Sequence, residues 1–213
     1  MTYQLVKGDE KLPRTKEAFR QIRDERREEL QRVAVEVFGR QGYVGTKIDD
    51  IAAAAGVSKG LVYHYFAGKE ALFATLVEGA AAGTARLFEE TLRRPGSAAD
   101  RLRWLIAAEV SGMTGDPYRY LVILQALLSH AVPGRAREAV LGMIQQEAAT
   151  TEALIREGQQ DGEVIPGDPH QLFLLLGACL QGMAASMAAP DLHPTLPTTE
   201  ALVGIFIRPR PSE

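Results

Sequence analysis

Several kinds of residue are scarce in this chain of 213 amino acids. Cys179 is the only cysteine, so no disulfide can form within the chain, and a reducing cytoplasm is the expected compartment. The four histidines are widely separated, and a Gly-rich phosphate loop and a nucleophile elbow are both missing from the sequence. We therefore expect no catalytic site and no cofactor, while a metal site assembled across helices stays open.

Strand-forming sequence is scarce as well. Aromatic residues make up 7% of the chain, Ala and Leu dominate, and no alternating Val, Ile or Thr segment is bounded by turns. This composition predicts an all-α fold. The length is sufficient to bury a core in one large domain or in two small ones.

One long apolar stretch, Leu172 to Ala189, has the composition of a membrane span but contains Gln181, Ser186 and several small residues. We predict a buried or interface helix instead, and no membrane partner. Cys179 within it is expected to be an inert buried thiol rather than a redox sensor. The first twenty residues are charged and lack an apolar run, which argues against a secretory signal.

Residues 46–69 carry the clearest motif. Thr46 and Asp49 have the spacing of a capping box, which predicts a helix start, and apolar residues follow at i, i+3, i+4 and i+7. Gly56 favours a sharp turn, and Ser58 offers the N-cap of a second short helix. Two helices joined by a Gly turn are typical of a helix-turn-helix, whose second helix lies in the major groove.

The second helix is predicted to have an inward and an outward face. The outward face combines a cation, a hydroxyl and a glycine, from Lys59, Tyr63 and Gly60. Lys59 can neutralise a phosphate, Tyr63 can donate to a phosphate oxygen, and Gly60 permits a close approach to DNA. The face therefore has the chemistry of a DNA-contacting surface.

The motif resembles the signature of the TetR family of bacterial transcription regulators. The matching positions are Thr46, Ile51, Ala52, Ala55, Gly56, Val57, Ser58, Gly60, Tyr63, Tyr65, Phe66, Lys69 and Leu72. The resemblance covers about residues 25–75 and implies an N-terminal three-helix DNA-binding domain and a larger C-terminal helical domain, about nine helices in all. An ordinary helical hairpin without a DNA role is the alternative.

The resemblance also implies which residues contact DNA. Together with the Ser58 hydroxyl they are Thr46, Lys47, Lys59, Gly60, Tyr63, His64, Tyr65 and Lys69. The spacing of Tyr65 also suits core packing. His64 is our candidate for reading a base edge, with contact to the DNA backbone as the alternative.

The predicted domain boundaries follow from these assignments. They are a flexible arm at 1–18, the DNA-binding domain at 19–68 with the helix-turn-helix at about 46–66, the effector-binding and dimerisation domain at 69–208, entered by a linking helix at 69–93, and a tail at 209–213. The charge is segregated, because residues 1–72 carry 13 Lys and Arg against 11 Asp and Glu, and residues 73–213 carry 11 against 16. The basic residues of the N-terminal segment are either solvated or reach the minor groove: Arg14, Lys16, Arg20 and Arg23.

An effector pocket is implied between about Trp104 and Met187. Its candidates are polar and aromatic residues on otherwise apolar helices: Trp104, Glu109, Tyr120, Gln125, Glu147, Gln181 and Met183. Core packing or a solvated face is the alternative for each of them. Glu109 lies in an apolar stripe, where a charge is costly unless paired, so it either binds a cationic or hydroxylated ligand or pairs with Arg119 or Arg135.

A row of small residues on the penultimate helix would let another helix approach closely: Ala178, Gly182, Ala185 and Ala189. The last two helices are therefore the predicted dimer interface, and a two-fold dimer would present two reading helices to pseudo-palindromic DNA. We expect a cytoplasmic homodimer that binds operator DNA, most simply a repressor released by a small-molecule effector. The alternatives are an enzyme with an appended DNA-binding domain, for which no catalytic constellation is visible, and a helical interaction module, which has no need of the exposed Lys59 and Tyr63.

Overall fold

The computed structural model describes residues 16–189, 191 and 195–209, and for residues 16 and 17 it describes the backbone alone. Within that part of the chain, the regular structure consists of nine α-helices, which confirms the predicted all-α fold. They are α1 (Lys16–Gly45), α2 (Ile48–Ala54), α3 (Lys59–Tyr65), α4 (Lys69–Arg93), α5 (Ala98–Gly115), α6 (Pro117–Leu128), α7 (Gly134–Gln160), α8 (Pro169–Ala188) and α9 (Thr199–Phe206).

The first helix is longer than its apolar stripe predicts. The sequence predicts an end at Gly39, whereas α1 continues to Gly45 with an interruption at Gly42, whose φ is 76°. Glycine is favoured at this left-handed position because it has no Cβ. The chain direction therefore changes just before the helix-turn-helix begins.

Most of the predicted N-terminal arm, 1–18, lies outside the described residues, and its last three residues belong to α1. Arg14 and the side chain of Lys16 are also outside the described part of the chain. Arg20 and Arg23 lie exposed on α1.

The helix-turn-helix begins one residue later than predicted. Lys47, not Thr46, is the N-cap of α2, and its amide donates to Asp50 Oδ2 at 2.8 Å. The Thr46 hydroxyl instead donates to the Gly42 carbonyl oxygen at 2.8 Å. The predicted capping box of Thr46 and Asp49 is therefore wrong, because Thr46 is fully buried and closes the turn that follows Gly42.

The turn and α3, the second helix of the helix-turn-helix, follow the prediction. Gly56 has a φ of 64°, and Ser58 is the N-cap of α3, accepting a hydrogen bond from the Leu61 amide at 3.2 Å. Val62 and Phe66 are buried, which fixes the inner face of the helix. The remaining face of α3 is left to the solvent.

The buried apolar side chains form two clusters, and α4 has residues in both. The first cluster joins Ile51 and Val62 of the helix-turn-helix to Phe73 of α4 and to Val122 and Val140 of α6 and α7. The second cluster lies between the end of α4 and helices α5, α8 and α9. The reading helices consequently share a core with the body instead of forming an isolated unit.

Helix α6 lies directly against α1. A Cβ at Gly39 would lie 2.7 Å from Tyr118 Cδ1, and the Arg40 guanidinium carbon is 5.1 Å from the centre of the Tyr118 ring. Further along, Gln125 Nε2 donates to the Phe38 carbonyl oxygen at 2.9 Å. The glycine is required here by the close approach of the two helices.

We expect Gly39→Ala to lower the free energy of unfolding by about 1–3 kcal/mol, because the added methyl overlaps the base of a packed side chain. Gly142→Ala is the matched control, since a Cβ there meets nothing within 4 Å and should stabilise α7 by about 0.5–1 kcal/mol. Urea unfolding monitored by circular dichroism gives both values. If Gly39→Ala were as stable as the control, the α1–α6 contact would not be as close as described.

Two helices, α4 and α8, are long and apolar enough to cross a membrane, with mean hydropathies of 1.2 and 1.5. Core helices of globular proteins also meet these limits. Here α4 packs along α7, and α8 packs against α6 and α7. At least one apolar face of each helix is therefore covered by other helices of the chain.

Candidate functional site

A shallow cleft lies where the start of α2 meets the outer face of α3. Its wall includes Lys47, Lys59, Tyr63 and Lys69 of the predicted DNA-contacting set, together with Asp49. Lys47, Lys59 and Tyr63 are exposed, and Tyr63 retains 49% of its accessible surface. The structure thus brings together, on one open surface, cations and a phenol that are up to 22 positions apart in the sequence.

Lys59 is held in place by an acidic neighbour from the first reading helix. Its Nζ lies 2.8 Å from Asp49 Oδ2, and both side chains are more than half exposed. The hydrogen bond to Asp49 and the charge of its carboxylate raise the pKa of Lys59. The amine therefore stays cationic, but a phosphate must compete with Asp49 for it.

Two members of the predicted set have structural partners that limit their contact with DNA. Thr46 is fully buried and its hydroxyl donates to a backbone carbonyl, so it is not available to a phosphate. Lys69 Nζ donates to the carbonyl oxygens of Tyr43 and Thr46, each at 3.0 Å, and lies 4.6 Å from the centre of the Tyr43 ring. Lys69 thus connects the start of α4 to the turn before α2, and two of its three N–H groups are already used in these hydrogen bonds.

The other members of the set vary in exposure. Ser58 and Gly60 are exposed at the start of α3, and a Cβ at Gly60 would approach only the Ser58 hydroxyl, at 3.9 Å. His64 is exposed, with its ring edge-to-face on Tyr65 at 5.2 Å. Tyr65 is half-buried against the first core cluster, which favours the packing alternative for this residue.

A second feature is a cavity of about 110 Å³ in the body, several times the volume that one water molecule needs. Helices α4 to α8 all contribute to its wall, which is mostly apolar. Four of the predicted effector-binding residues line it: Glu109, Tyr120, Glu147 and Gln181. Arg119 also lines it, although the sequence singled it out only as a partner for Glu109.

Glu109 forms the best connected part of the cavity wall. The Tyr120 hydroxyl donates to its carboxylate and lies 3.2 Å from its backbone carbonyl oxygen. Burial raises the pKa of Glu109, while the Tyr120 hydrogen bond and the Arg119 charge oppose that effect. Of the two arginines predicted as partners for this carboxylate, Arg119 lowers its pKa through its charge. Arg135, near the start of α7, instead pairs with Glu78 of α4.

Glu147 lies in the same wall without a hydrogen-bonding partner among the described residues. Burial, and next the charge of Glu109, raise its pKa from 4.5 to about 8, against an opposing effect of Arg119. The group is therefore mostly protonated at neutral pH. A protonated carboxyl in an apolar wall can donate a hydrogen bond to a bound molecule.

Three predicted effector residues lie elsewhere. Trp104 stacks under Arg94, whose guanidinium carbon is 4.2 Å from the ring centre. Gln125 contacts α1, and Met183 is buried in the second core cluster. The sequence could not separate these from the cavity residues, because all of them interrupt apolar helices in the same way.

The small-residue row on α8 lies on the outside of the protein. Ala178, Gly182 and Ala185 are exposed and Ala189 is half-buried, while Leu174 on the same side retains 54% of its surface. An apolar groove continues from this row to Ile205 of α9. The predicted dimer interface is therefore a continuous apolar surface of α8 and α9.

The chain is similar to known proteins both in sequence and in structure. The model of the family described as bacterial regulatory proteins, tetR family, matches residues 30–76. The fatty acid metabolism regulator protein of Bacillus subtilis is 27% identical over 134 residues, which span 63% of this chain and 68% of that protein. The transcriptional regulator AcuR of Cereibacter sphaeroides is 32% identical over 139 residues, 63% of each protein.

A solved structure shares the fold. The transcriptional regulator FadR from Bacillus subtilis, in complex with stearoyl-CoA, matches 84% of this chain and 96% of its own, with a TM-score of 0.61 at 21% identity. The match includes the body as well as the reading helices. The family match, in contrast, covers α2 and α3, which form the cleft that contains Lys59 and Tyr63.

Proposed function

The chain belongs to the tetR family of bacterial regulatory proteins, and from that membership we propose that it is a cytoplasmic homodimeric repressor which a small-molecule effector releases from operator DNA. The family accounts for the coarser statement, that the chain is a DNA-binding transcription regulator. The proposed effector response rests on one observation: α6 contacts α1 on one side and lines the cavity of the body on the other.

DNA binding is assigned to the cleft of α2 and α3. Lys47 and Lys59 neutralise phosphates, Tyr63 and Ser58 donate to phosphate oxygens, and His64 approaches a base edge in the major groove. A two-fold dimer places two such clefts on successive grooves, so the operator is pseudo-palindromic.

Effector response is assigned to the cavity and to α6. A ligand beside Arg119 and Tyr120 displaces α6, and Tyr118 and Gln125 pass that displacement to α1. Because α1 packs against α2 and α4, the separation of the two clefts in the dimer changes. If the ligand weakens DNA binding, DNA must weaken ligand binding by the same factor.

The function is tested by titrating the purified protein against the DNA upstream of its own gene at two salt concentrations. Binding that is selective over random DNA, weakens with salt and is lost in Tyr63→Ala is the expected result. If no fragment from the neighbourhood of the gene competed better than random DNA, local autoregulation would be excluded. If no DNA were bound at all, a helical interaction module would be the better description.

Lys59→Ala is expected to weaken operator binding about tenfold and to reduce the dependence of log affinity on log salt by about one unit, because one phosphate contact is lost. Asp49→Asn is expected to strengthen operator binding and to increase its salt dependence, since the substitution frees Lys59 and removes a negative charge. Fluorescence anisotropy at several salt concentrations measures both variants.

The matched control for this pair is Arg93→Ala, which also removes one exposed cation from an ion pair, with Glu89 at 3.2 Å. It lies in the last turn of α4 and should leave the salt dependence unchanged. Equal effects of Lys59→Ala and Arg93→Ala would mean that only the net charge matters and that the cleft is not the contact surface.

A further inference from the structure

The cavity wall contains one carboxyl group that the protein leaves without a partner. Glu147 lines the cavity from α7, and among the described residues no side chain donates a hydrogen bond to it and no cation forms an ion pair with it. The second carboxyl group, Glu109, already accepts from Tyr120. Glu147 is half-buried, so its carboxyl group has lost part of its water, and a bound ligand can supply the partner that the protein does not.

The surroundings of Glu147 define what that ligand can carry. Its titratable and charged neighbours across the cavity are Glu109 from α5 and Arg119 and Tyr120 from α6. The walls from α4 and α8 contribute no titratable group, only apolar residues with Thr84 and Gln181. Two carboxyl groups therefore face a single fixed cation.

We propose that the cavity takes a monocationic amphipathic ligand, an organic ammonium on an apolar body, whose charge pairs with Glu147 while its body lies on the apolar wall. This inference deepens the effector site proposed above and rests on it for its regulatory meaning. The mixture of a mostly apolar wall and a few convergent polar groups is typical of small-molecule sites, and the polar groups set the ligand class.

Among the described residues, Arg119 is the one cation that lines the cavity, and its buried Nε has no hydrogen-bond partner. Its guanidinium lies toward the edge of α4 and α5, with its terminal nitrogens 3.8 Å from where a Cβ at Gly83 or at Gly112 would lie. It is also engaged with Tyr120, 5.8 Å from that ring centre, and lowers the pKa of Glu109. An anionic ligand gains nothing from the Glu147 carboxyl when it ionises, whereas an ammonium stabilises the ionised form of Glu147.

Binding of the ammonium is coupled to loss of a proton. Free Glu147 is mostly protonated at pH 7, because burial raises its pKa to about 8. A cation within contact distance lowers the pKa of a carboxyl by about 1–3 units, so the bound state holds the carboxylate and the proton is released to the buffer. The affinity for the ammonium must then rise with pH up to the pKa of the free carboxyl and level off above it.

The test compares three probes that share one alkyl chain: octylammonium, octanol and octanoate. Isothermal titration calorimetry in two buffers of different ionisation enthalpy gives the affinity and the protons released. Octylammonium should bind about tenfold or more tightly than octanol at pH 8, release close to one proton near pH 7, and lose both properties in Glu147→Gln. Glu138→Gln, an exposed carboxyl on the same helix, should change neither.

Each other outcome would overturn the inference. Octanoate binding more tightly than octylammonium, or a preference for the ammonium that survives Glu147→Gln, would show that another group selects the ligand. Equal binding of all three probes, or of none, would show that the charge of Glu147 does not contribute to ligand recognition. The regulatory role is tested separately: octylammonium that binds the cavity but leaves operator affinity unchanged would contradict the effector role and not the ligand class.

Discussion

Gly182→Arg is expected to convert the proposed dimer into monomers and to weaken operator binding by about 100-fold or more, because the two DNA-binding clefts would no longer bind as one linked unit. The substitution places a charge in the middle of the exposed row on α8. A Cβ at Gly182 meets nothing within 4 Å, so the fold of the monomer should be preserved. Sedimentation velocity and operator titration measure the two effects.

The control for this substitution is Ala149→Arg, which adds the same side chain to an exposed position of α7. It should leave both the sedimentation coefficient and the operator affinity unchanged. If Gly182→Arg stayed dimeric, the α8 and α9 surface would not be the interface, and the apolar groove that ends at Ile205 would need another occupant.

Glu147→Gln is expected to make the protein more stable than the wild type at alkaline pH and to remove a pH dependence. In the folded protein the pKa of Glu147 is raised from 4.5 to about 8, mainly by burial, so the folded state binds its proton more tightly than the unfolded state does. The stabilisation from this group is fully present below pH 4.5 and is lost as the pH rises through about 8. The difference in unfolding free energy between variant and wild type should grow by about 2–4 kcal/mol across that window.

Urea unfolding at a series of pH values measures this difference directly. Glu138→Gln serves as the control, because it makes the same change at an exposed position of the same helix. A difference between Glu147→Gln and wild type that stays constant with pH would mean that the Glu147 carboxylate is ionised and solvated in the folded protein. Water would then fill the cavity to the carboxyl, which also removes the basis for proton release on ligand binding.

The reading helices could be predicted from the sequence because their signals are local. Gly56 marks the turn and Ser58 the start of α3, and both act on the backbone within a few residues. The one local error concerns Thr46, whose spacing to Asp49 fits a capping box. Its hydroxyl donates instead to the carbonyl oxygen of Gly42, four residues earlier, which the single turn after that glycine brings within reach.

The roles of charged residues were less predictable than the positions of helices. Lys59 and Lys69 both look like phosphate ligands in the sequence. In the structure Lys59 is exposed beside Asp49, whereas Lys69 is used to tie two elements together through the carbonyls of Tyr43 and Thr46. A sequence pattern gives the charge of a side chain but not the acceptors that the fold places around it.

The sequence by itself determined the presence and order of the helices and the helix-turn-helix, although it misplaced the end of α1 and the start of α2. Capping, periodicity and glycine conformations depend on neighbours along the chain. Only the tertiary structure decided which polar residues meet. Glu109 and Glu147 are 38 positions apart, on different helices, and face one cavity, whereas Trp104 and Gln125, which also interrupt apolar helices, do not. The physical reason is that periodicity defines the face on which a side chain lies, while the neighbour that this face meets depends on how the helices pack.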